Sequence, residues 1–258
     1  MKIASFNANG IRARLHIVRE WLVKEKPDIL CLQETKVQDS EFPQEAFEEL
    51  GYYLAFRGEK GYNGVAIVSK MPLTDVFFGF GDGDKNEDAR IITATIGSNI
   101  PIVNTYVPQG SAPDSEKFRY KLDWFHRLYD YFSRKFKPDN PLLWVGDFNV
   151  APEPRDVYDP QGLLGSIGFH PDEHSALARV KAWGFVDVFR KYEPQGGFYT
   201  FWDYRVPQAV KRGLGWRIDH MWATSCLAEK LLCASIDLAP RLAQKPSDHT
   251  IIWAEFDS

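Results

Sequence analysis

Polar side chains that could bind a metal ion or a phosphate stand at the ends of several strand-like segments. The apolar run 142–145 leads into Gly146-Asp147-Phe148-Asn149, and an extended backbone puts Asp147 and Asn149 on the same side. The other polar side chains at such segment ends are Asn7, Glu34, Asp219, Asp248 and His249. Because strand ends of α/β folds meet in one crevice, we expect these side chains to lie close together.

The types of these residues indicate phosphate chemistry. Carboxylate and amide oxygens without thiolates are typical of Mg²⁺ or Mn²⁺ sites. Hydrolysis of a phosphodiester requires neutralised phosphate charge, an activated water and a stabilised leaving group. A metal ion, an aspartate and His249 together supply these three functions, and Asp219 is the candidate that orients His249. The pattern therefore predicts a Mg²⁺ cofactor, with Mn²⁺ as a possible substitute.

A second group of residues, in segment 198–217, interleaves aromatic and cationic side chains. This combination is typical of nucleic-acid contacts, with cations for phosphates and aromatic rings for bases or sugars. The cations are Arg205, Lys211, Arg212 and Arg217. Phe198 and Trp202 are instead expected to pack in the core. The net charge of −4 is unusual for a DNA-binding protein, but it does not report how charge is distributed locally.

Size and composition favour one globular domain over residues 1–258. Hydrophobic residues make up 44% of the 258-residue chain, which is ample for a sizeable core. No apolar stretch approaches the roughly 20 residues that span a membrane, and the N-terminal segment lacks a signal-peptide profile. We therefore expect a cytoplasmic protein without a membrane partner. The sequence does not determine the oligomeric state, although a monomer is favoured.

Alternating strand-like and helix-like segments predict an α/β fold. The predicted strands are 2–7, 29–33, 64–69, 90–96, 102–106, 142–146, 217–223 and 250–256. Helical apolar faces begin near Leu15, near Phe118 after a cap at Asp114 or Ser115, and at Ala176. The long loops expected between them are 35–63, 72–89, 107–114, 150–171 and 194–216, with 82–88 as a solvated acidic turn. Such a pattern is typical of sheets with helices covering their outer faces.

The histidines other than His249 carry no predicted role. His170 and His174 have the spacing of a helical zinc pair, but Pro171 places His170 before the helix. The scattered Cys31, Cys226 and Cys233 predict free thiols, because they form no disulfide or zinc-site pattern.

Eight ordered segments resemble a known family. They are 5–14, 27–36, 61–66, 104–110, 146–150, 184–190, 213–219 and 245–249. The chain resembles the exonuclease III family of abasic-site (AP) endonucleases, in the endonuclease/exonuclease/phosphatase superfamily, from Lys2 to Phe256. The resemblance implies a four-layer α/β sandwich, in which two mixed β-sheets pack face to face with helices on the outer sides.

The resemblance also implies roles for the polar residues at the strand ends. Glu34 would ligate the metal, with Asn7 adjacent and Asp248 nearby. Asp147 would activate the attacking water or assist the leaving group, and Asn149 would orient that group and the phosphate. Tyr106 would contact the phosphate, and His249, held by Asp219, would bind it. Asn9 stands where some relatives carry aspartate, so the number of metal ions stays open.

A pocket for the damaged nucleotide is implied as well. By resemblance, Phe201, Trp216 and Ile218 would receive an abasic deoxyribose that is flipped out of the duplex. Extruding a nucleotide without a base is cheap because little stacking is lost, and a tight apolar pocket excludes normal nucleotides. Tyr62 and Arg90 would contact backbone phosphates, and Arg205 would probe the duplex as a wedge.

The function implied is Mg²⁺-dependent cleavage 5′ to an abasic site in duplex DNA, which leaves a 3′-hydroxyl. The same family often adds 3′→5′ exonuclease and 3′-phosphodiesterase activity, so 3′-blocked DNA is an expected partner as well. One alternative keeps the fold but changes the substrate to another phosphoester. A second is a catalytically inactive DNA-binding module, which the full set of polar residues disfavours.

Overall fold

The computed structural model describes residues 1–84, 89–97 and 100–257, and its strands form two sheets of six. In chain order the strands are β1 (Lys2–Asn7), β2 (Ile29–Gln33), β3 (Tyr53–Glu59), β4 (Tyr62–Ser69), β5 (Leu73–Phe78), β6 (Ile91–Ile96), β7 (Ile100–Tyr106), β8 (Leu143–Asp147), β9 (Phe185–Asp187), β10 (Asp219–Thr224), β11 (Leu231–Asp237) and β12 (Ile251–Phe256). The helices are α1 (Ile11–Glu25), α2 (Glu45–Glu48), α3 (Glu116–Lys135), α4 (Pro171–Lys181), α5 (Val188–Tyr192), α6 (Ser225–Ala228) and α7 (Ala239–Leu242). Residues 85–88 of the predicted acidic turn lie outside the described residues.

Each sheet is mixed and contains one parallel pair near its centre. The first sheet has the order β11-β12-β1-β2-β4-β3, and the second has the order β5-β6-β7-β8-β10-β9. β1 and β2 run parallel across α1, while β7 and β8 run parallel across α3. Parallel strands require such a crossover, and their carboxyl ends consequently lie at one edge. Within each sheet the two parallel strands therefore end side by side, and a hydrogen bond from Asn7 at the end of β1 to Asp147 at the end of β8 joins the two sheets there.

Three apolar clusters fill the spaces between layers. One lies between the two sheets and includes Ile29, Val65, Ile102 and Val145. A second packs α3 and α4 on the second sheet, and a third packs α1 on the first sheet. Helices therefore cover the outer faces of two facing sheets, and the predicted four-layer α/β sandwich is confirmed.

The helix boundaries follow local capping chemistry. The Ser115 side chain accepts a hydrogen bond from the backbone N–H of Phe118 and so opens α3. His170 caps α4 in the same way, which confirms that it precedes this helix, with Pro171 at the first helical position. The helix therefore begins before Ala176, where the apolar periodicity alone placed its start.

Several strands fall within segments that the sequence pattern assigned to loops. β3 and β5 lie inside the predicted loops 35–63 and 72–89, and β9 and β11 were not predicted. β3, β5, β9 and β11 are the edge strands of the two sheets. An edge strand contacts fewer neighbours and carries fewer buried residues, so its hydrophobic pattern is weak. Among the described residues, none of the helices is long and apolar enough to cross a membrane.

Candidate active site

Three side chains from different strand ends face one another in a small volume. Glu34 follows β2, Asp147 ends β8, and His249 precedes β12. One ligand atom from each lies within 4.8 Å of the other two. The pairing of β10 with β8 sets Asp219 opposite Asp147 and adds a third carboxylate. The convergence expected from the strand ends is therefore present for Glu34, Asp147, Asp219 and His249, which we call the site cluster.

The turn after β8 aims Asp147 and Asn149 at this cluster. The Phe148 ring stacks on Trp144 in the core, with ring centroids 3.8 Å apart, so its two neighbours point the other way. Asn149 has the left-handed φ of 52°, and its N–H donates to Asp147 Oδ1 at 2.8 Å. Its side-chain amide donates to the Val107 carbonyl oxygen at 2.8 Å. Both side chains are thus fixed before any ligand arrives.

Gly146 is required for the close approach of β8 to β7. A Cβ atom at this position would lie 2.0 Å from the carbonyl oxygen of Thr105, and the backbone has the positive φ of 134°. A larger residue would push β8 away and move Asp147 with it.

His249 is buried and held between two aspartates. Its Nδ1 lies 2.7 Å from Asp219 Oδ2, and its Nε2 lies 3.8 Å from Asp147 Oδ2. Burial lowers the pKa of His249, but Asp219 and Asp147 outweigh this effect and raise it to about 10. The imidazole is therefore protonated at neutral pH and can donate from Nε2. Such a donor suits an anionic phosphate oxygen better than it suits a metal ion.

The environment of Asp147 makes it a proton acceptor near neutral pH. Burial raises its pKa, the neighbouring Asp219 and Glu34 raise it further, and His249 lowers it, which leaves a pKa of about 7. Tyr106 is also affected: burial, followed by the charges of Glu34 and Asp147, raises its pKa well above the usual value. Tyr106 is therefore a neutral phenol that can only donate or accept a hydrogen bond at physiological pH.

A divalent metal ion fits the oxygen donors of Glu34 and Asp147. Both carboxylates are largely buried and lie side by side, which is costly unless a cation neutralises them. Lys36 Nζ already lies 2.7 Å from Glu34 Oε2, so one cation is supplied by the chain itself. Lys36 was not predicted, because Glu34 and Lys36 lie beyond the end of β2 with left-handed φ angles of 48° and 55°, where strand alternation gives no guide.

Asn7 presents its amide nitrogen to the site cluster, and Asp248 contacts Asn9 beside it. The amide nitrogen of Asn7 donates to Glu34 Oε1 and Asp147 Oδ2, at 2.8 Å each, while its oxygen accepts from the N–H of Asn9. Asp248 Oδ1 accepts from the Asn9 side chain at 2.9 Å. The structure thus places Asn7 between the two carboxylates as a donor and pairs Asp248 with Asn9.

A cavity of about 730 Å³ opens beside the site cluster. Its polar wall includes Glu34, Tyr106, Asn149 and His249, and its apolar wall includes Phe201, Trp216 and Ile218. The Phe201 ring lies 4.9 Å from the His249 ring, so the two walls are continuous. The three residues predicted to form a pocket therefore line one cavity together with the polar groups.

Most of the predicted DNA-contacting residues lie at the surface. Tyr62 is 70% exposed, and Arg90 places its guanidinium 5.0 Å from the centre of the Tyr106 ring. The Arg205 side chain is 88% exposed and forms an ion pair with Asp203 at 2.6 Å. Lys211 and Arg212 are exposed as well.

Arg217 is a correction to the sequence prediction. Its side chain is 0% exposed, and its guanidinium donates to Asp156 at 2.7 Å and to Asp187 at 2.8 Å. It cannot reach a DNA phosphate, and it instead braces the pocket wall from behind. Because Trp216 and Ile218 face the cavity, the alternation of an extended chain would have placed Arg217 on the opposite side.

Phe198 is a second correction, because it is exposed at the surface and only its edge contacts Phe189. Trp202 is buried as expected. His220, to which no role was assigned, accepts a hydrogen bond from Arg217 and contacts the Val150 carbonyl oxygen. Burial and the charge of Arg217 lower its pKa to about 3, so it is neutral.

Comparison with known proteins identifies the family of the chain. Residues 4–249 match the Endonuclease/Exonuclease/phosphatase family. The chain is 35% identical to exodeoxyribonuclease III of Haemophilus influenzae, over 99% of this chain and 100% of that protein. An AP endonuclease structure from Archaeoglobus fulgidus matches with 49% identity, a TM-score of 0.96 and 100% coverage of both chains. A Neisseria 3′ phosphatase, NExo, bound to a product DNA hairpin matches with 37% identity, a TM-score of 0.95 and 100% coverage of both chains. The chain therefore belongs to the endonuclease/exonuclease/phosphatase family.

Proposed function

We propose that this protein is a Mg²⁺-dependent AP endonuclease that hydrolyses the phosphodiester 5′ to an abasic site in duplex DNA and leaves a 3′-hydroxyl. A 3′→5′ exonuclease and 3′-phosphodiesterase activity belongs to the same proposal, because the same reacting groups can serve a 3′ end. The observation that carries the proposal is the cavity in which apolar and polar walls meet.

The cavity has the chemistry of a deoxyribose site. A flipped-out abasic nucleotide presents an apolar sugar face and an anionic phosphate. The apolar sugar face fits against Phe201, Trp216 and Ile218. The anionic phosphate fits the donors of His249 and Tyr106, which share their wall of the cavity with Asn149. A normal nucleotide carries a base that this cavity would have to accommodate and a stacking energy that must be lost on flipping. The proposal therefore includes selectivity for nucleotides without a base.

The reacting groups are assigned from their protonation states and positions. Protonated His249 donates from Nε2 to a phosphate oxygen, while Asp219 holds its other nitrogen. Asp147, whose pKa burial raises, takes a proton from the water that attacks phosphorus. The bond from phosphorus to the 3′ oxygen breaks as the new bond forms, and the proton taken up by Asp147 passes to the departing 3′ oxygen. Asn149 and Tyr106 orient the phosphate. Glu34, with Asp248 nearby, would hold the Mg²⁺ ion, which supplies charge neutralisation on the phosphate when bound.

The exposed cations extend this site into a DNA-binding surface. Arg90 and Tyr62 line a second cavity of about 400 Å³ that shares Glu34 and Tyr106 with the first. Arg205 stands at the rim of the larger cavity, where it can enter a duplex, and Lys211 and Arg212 follow in the same segment. Phosphate contacts of this kind position a duplex without reading its sequence.

The relatives support this reading. The names of similar proteins include exodeoxyribonuclease III and AP endonuclease, and one similar structure contains product DNA. These names span both endonuclease and 3′-end activities, which is why both are included in the proposal.

The test is cleavage of an end-labelled duplex that carries one tetrahydrofuran abasic analogue, beside an undamaged duplex. We expect a single cut immediately 5′ to the analogue in Mg²⁺ and none in EDTA. The absence of a lesion-specific cut in both Mg²⁺ and Mn²⁺ would contradict the proposal and favour another phosphoester of the same fold.

Glu34→Ala separates the enzyme from a module that only binds DNA. For an enzyme, metal-dependent cleavage collapses in this variant. Binding of the duplex is retained or tightens, because a carboxylate that repels phosphate has been removed. Cleavage equal to that of the wild type would show that Glu34 has no part in catalysis.

A further inference from the structure

Lys121 is a fully buried lysine on α3 whose hydrogen bonds end beside the candidate active site. Its Nζ donates to the Asn149 carbonyl oxygen at 2.8 Å, to the Gln109 carbonyl oxygen at 3.1 Å and to Glu173 Oε1 at 2.5 Å. Both charged side chains of this pair are 0% exposed. An ammonium group has three N–H donors, so all the donors of Lys121 are used.

Glu173, on α4, extends these connections to another loop. Its Oε2 accepts from the N–H of Gly168 at 2.8 Å and from the N–H of His170 at 3.1 Å. The Gly168 carbonyl oxygen in turn accepts from the N–H of Ala151 at 2.7 Å. The ion pair therefore joins three backbone segments, 107–110, 147–151 and 167–170, which we call the brace segments.

All three brace segments contribute to the larger cavity. Gln109, Asn149, Ile167 and Gly168 are among its lining residues. Asn149 depends directly on the pair, because Lys121 binds its carbonyl oxygen while its backbone holds the uncommon left-handed φ of 52°. Its N–H is held by Asp147 and its carbonyl oxygen by Lys121. Hydrogen bonds to its N–H and to its carbonyl oxygen thus fix the backbone conformation of Asn149.

We propose that Lys121 and Glu173 are positioning residues that hold Asn149 in line with the reacting phosphate. This inference rests on the proposed function. Neither residue lines the cavity, so both act through Asn149 and the adjoining loops. Without the lysine, the Asn149 carbonyl oxygen loses its charged donor and the strained turn can relax. A displacement of about 1 Å at a reacting group can lower the rate about 100-fold.

The experiment uses the double variant Lys121→Met/Glu173→Gln, which removes both charges and so leaves neither one buried alone. The matched control is Lys2→Met/Glu25→Gln, because Lys2 and Glu25 form a 2.8 Å ion pair at the opposite end of β1 from Asn7. We measure single-turnover cleavage of the abasic duplex at a temperature well below each unfolding midpoint. The same proteins are tested for binding of this duplex in EDTA.

The proposal predicts a rate about 10- to 100-fold lower in the brace variant, duplex binding within about twofold of the wild type, and a normal rate in the control. A brace variant that unfolds more easily but keeps the wild-type rate would overturn the proposal. Duplex binding that weakens by the same factor as the cleavage rate would also overturn the proposal. The ion pair would then affect substrate binding in the pocket and not the position of Asn149 during the reaction.

Hydrogen exchange gives a readout that does not depend on the substrate. Peptides that cover 107–110 and 147–151 should exchange faster in the brace variant, while peptides that cover 2–7 should not change. Unchanged exchange in both brace peptides would contradict the positioning role. If the wild type fails to cut the abasic duplex, the proposed function is wrong, whereas the exchange result still decides whether Lys121 holds the turn.

Discussion

Two buried acidic clusters lie close together in this protein and are neutralised in different ways. The ionic cluster, made of Asp156, Asp187, Arg190 and Arg217, matches each carboxylate with a guanidinium. The site cluster holds three carboxylates and the imidazolium of His249, and Lys36 forms an ion pair with one of the three, Glu34. Burial favours a higher pKa for Asp156 and Asp187 in the first cluster and for Asp147 in the second. The difference lies in the number of cations that the chain supplies.

The pKa values of one aspartate from each cluster express this difference. Burial raises the pKa of Asp156, but Arg217 and Arg190 outweigh it and lower the pKa to about 2. Burial also raises the pKa of Asp147, and there the neighbouring carboxylates add to it, so the pKa reaches about 7. In addition, Asp219 Oδ1 is buried without a hydrogen-bond partner among the described residues. A cluster with fewer cations than carboxylates is suited to bind a metal ion or to accept a proton.

The largest expected effect is on the rate when the site cluster loses a carboxylate. Asp147→Asn removes the proton acceptor, so we expect the single-turnover rate to fall by about 10²- to 10⁴-fold. The free energy of unfolding should stay the same or rise, because a repulsive charge is lost. Quenched-flow cleavage and urea unfolding measure the two quantities. A normal cleavage rate together with a strongly lowered free energy of unfolding would contradict this account, because it would give the site cluster a structural role instead of a catalytic one.

The opposite pattern is expected when the ionic cluster loses a cation. Arg217→Met leaves Asp156 and Asp187 buried with less compensation, which should lower the free energy of unfolding by about 3–5 kcal/mol. Arg205→Met is the matched control. Since the Arg205 side chain is 88% exposed, its ion pair contributes about 0–1 kcal/mol. Equal losses in the two variants, measured by urea unfolding, would show that the buried pairs are not structural.

The contribution of the ionic cluster to the free energy of unfolding should depend on pH in acid. The pKa of Asp156 is lowered on folding, so its contribution to stability is present above its ordinary pKa of 3.8 and is lost as the pH falls toward about 2. A difference of this size corresponds to about 2 kcal/mol. Unfolding free energies of the wild type and Asp156→Asn between pH 6 and pH 2 test this. The slope below about pH 4 should be shallower in the variant, and an unchanged slope would contradict the assignment.

The smallest effect concerns DNA binding at the exposed surface. Lys211→Ala should reduce the slope of log affinity against log salt by about 0.9, because one phosphate contact is lost. Arg217→Met should leave this slope unchanged, because the side chain is buried. Fluorescence anisotropy with a labelled duplex between low and moderate salt measures both slopes. A shallower slope in Arg217→Met alone would restore the original sequence prediction for that arginine.

The comparison also shows what the sequence could predict. The site cluster could be predicted from the sequence because Asp147, Glu34 and His249 each follow or precede an apolar run, and strand ends meet at one edge of a sheet. The fold class followed from the same runs. Edge strands such as β3 and β5 were missed because partly exposed strands lack the uniform apolar pattern of the central ones.

Pairing between distant residues was not predictable from local pattern. Arg217 lies in a basic and aromatic segment, and its composition resembles a DNA contact. Its two aspartates are 61 and 30 residues away along the chain, so only the folded structure reveals the ionic cluster. Lys121 was hidden in the same way, because a lysine within an amphipathic helix usually lies on the solvated face.

Metal binding to the site cluster tests the central claim most directly. Mg²⁺ is titrated calorimetrically into the wild type, Glu34→Gln and Arg217→Met, each together with an abasic duplex whose scissile linkage cannot be hydrolysed. The account predicts Mg²⁺ binding in the wild type and in Arg217→Met, and its loss or at least tenfold weakening in Glu34→Gln. Binding that is equally strong in Glu34→Gln, or absent from the wild type, would contradict the claim that the uncompensated carboxylates form the metal site.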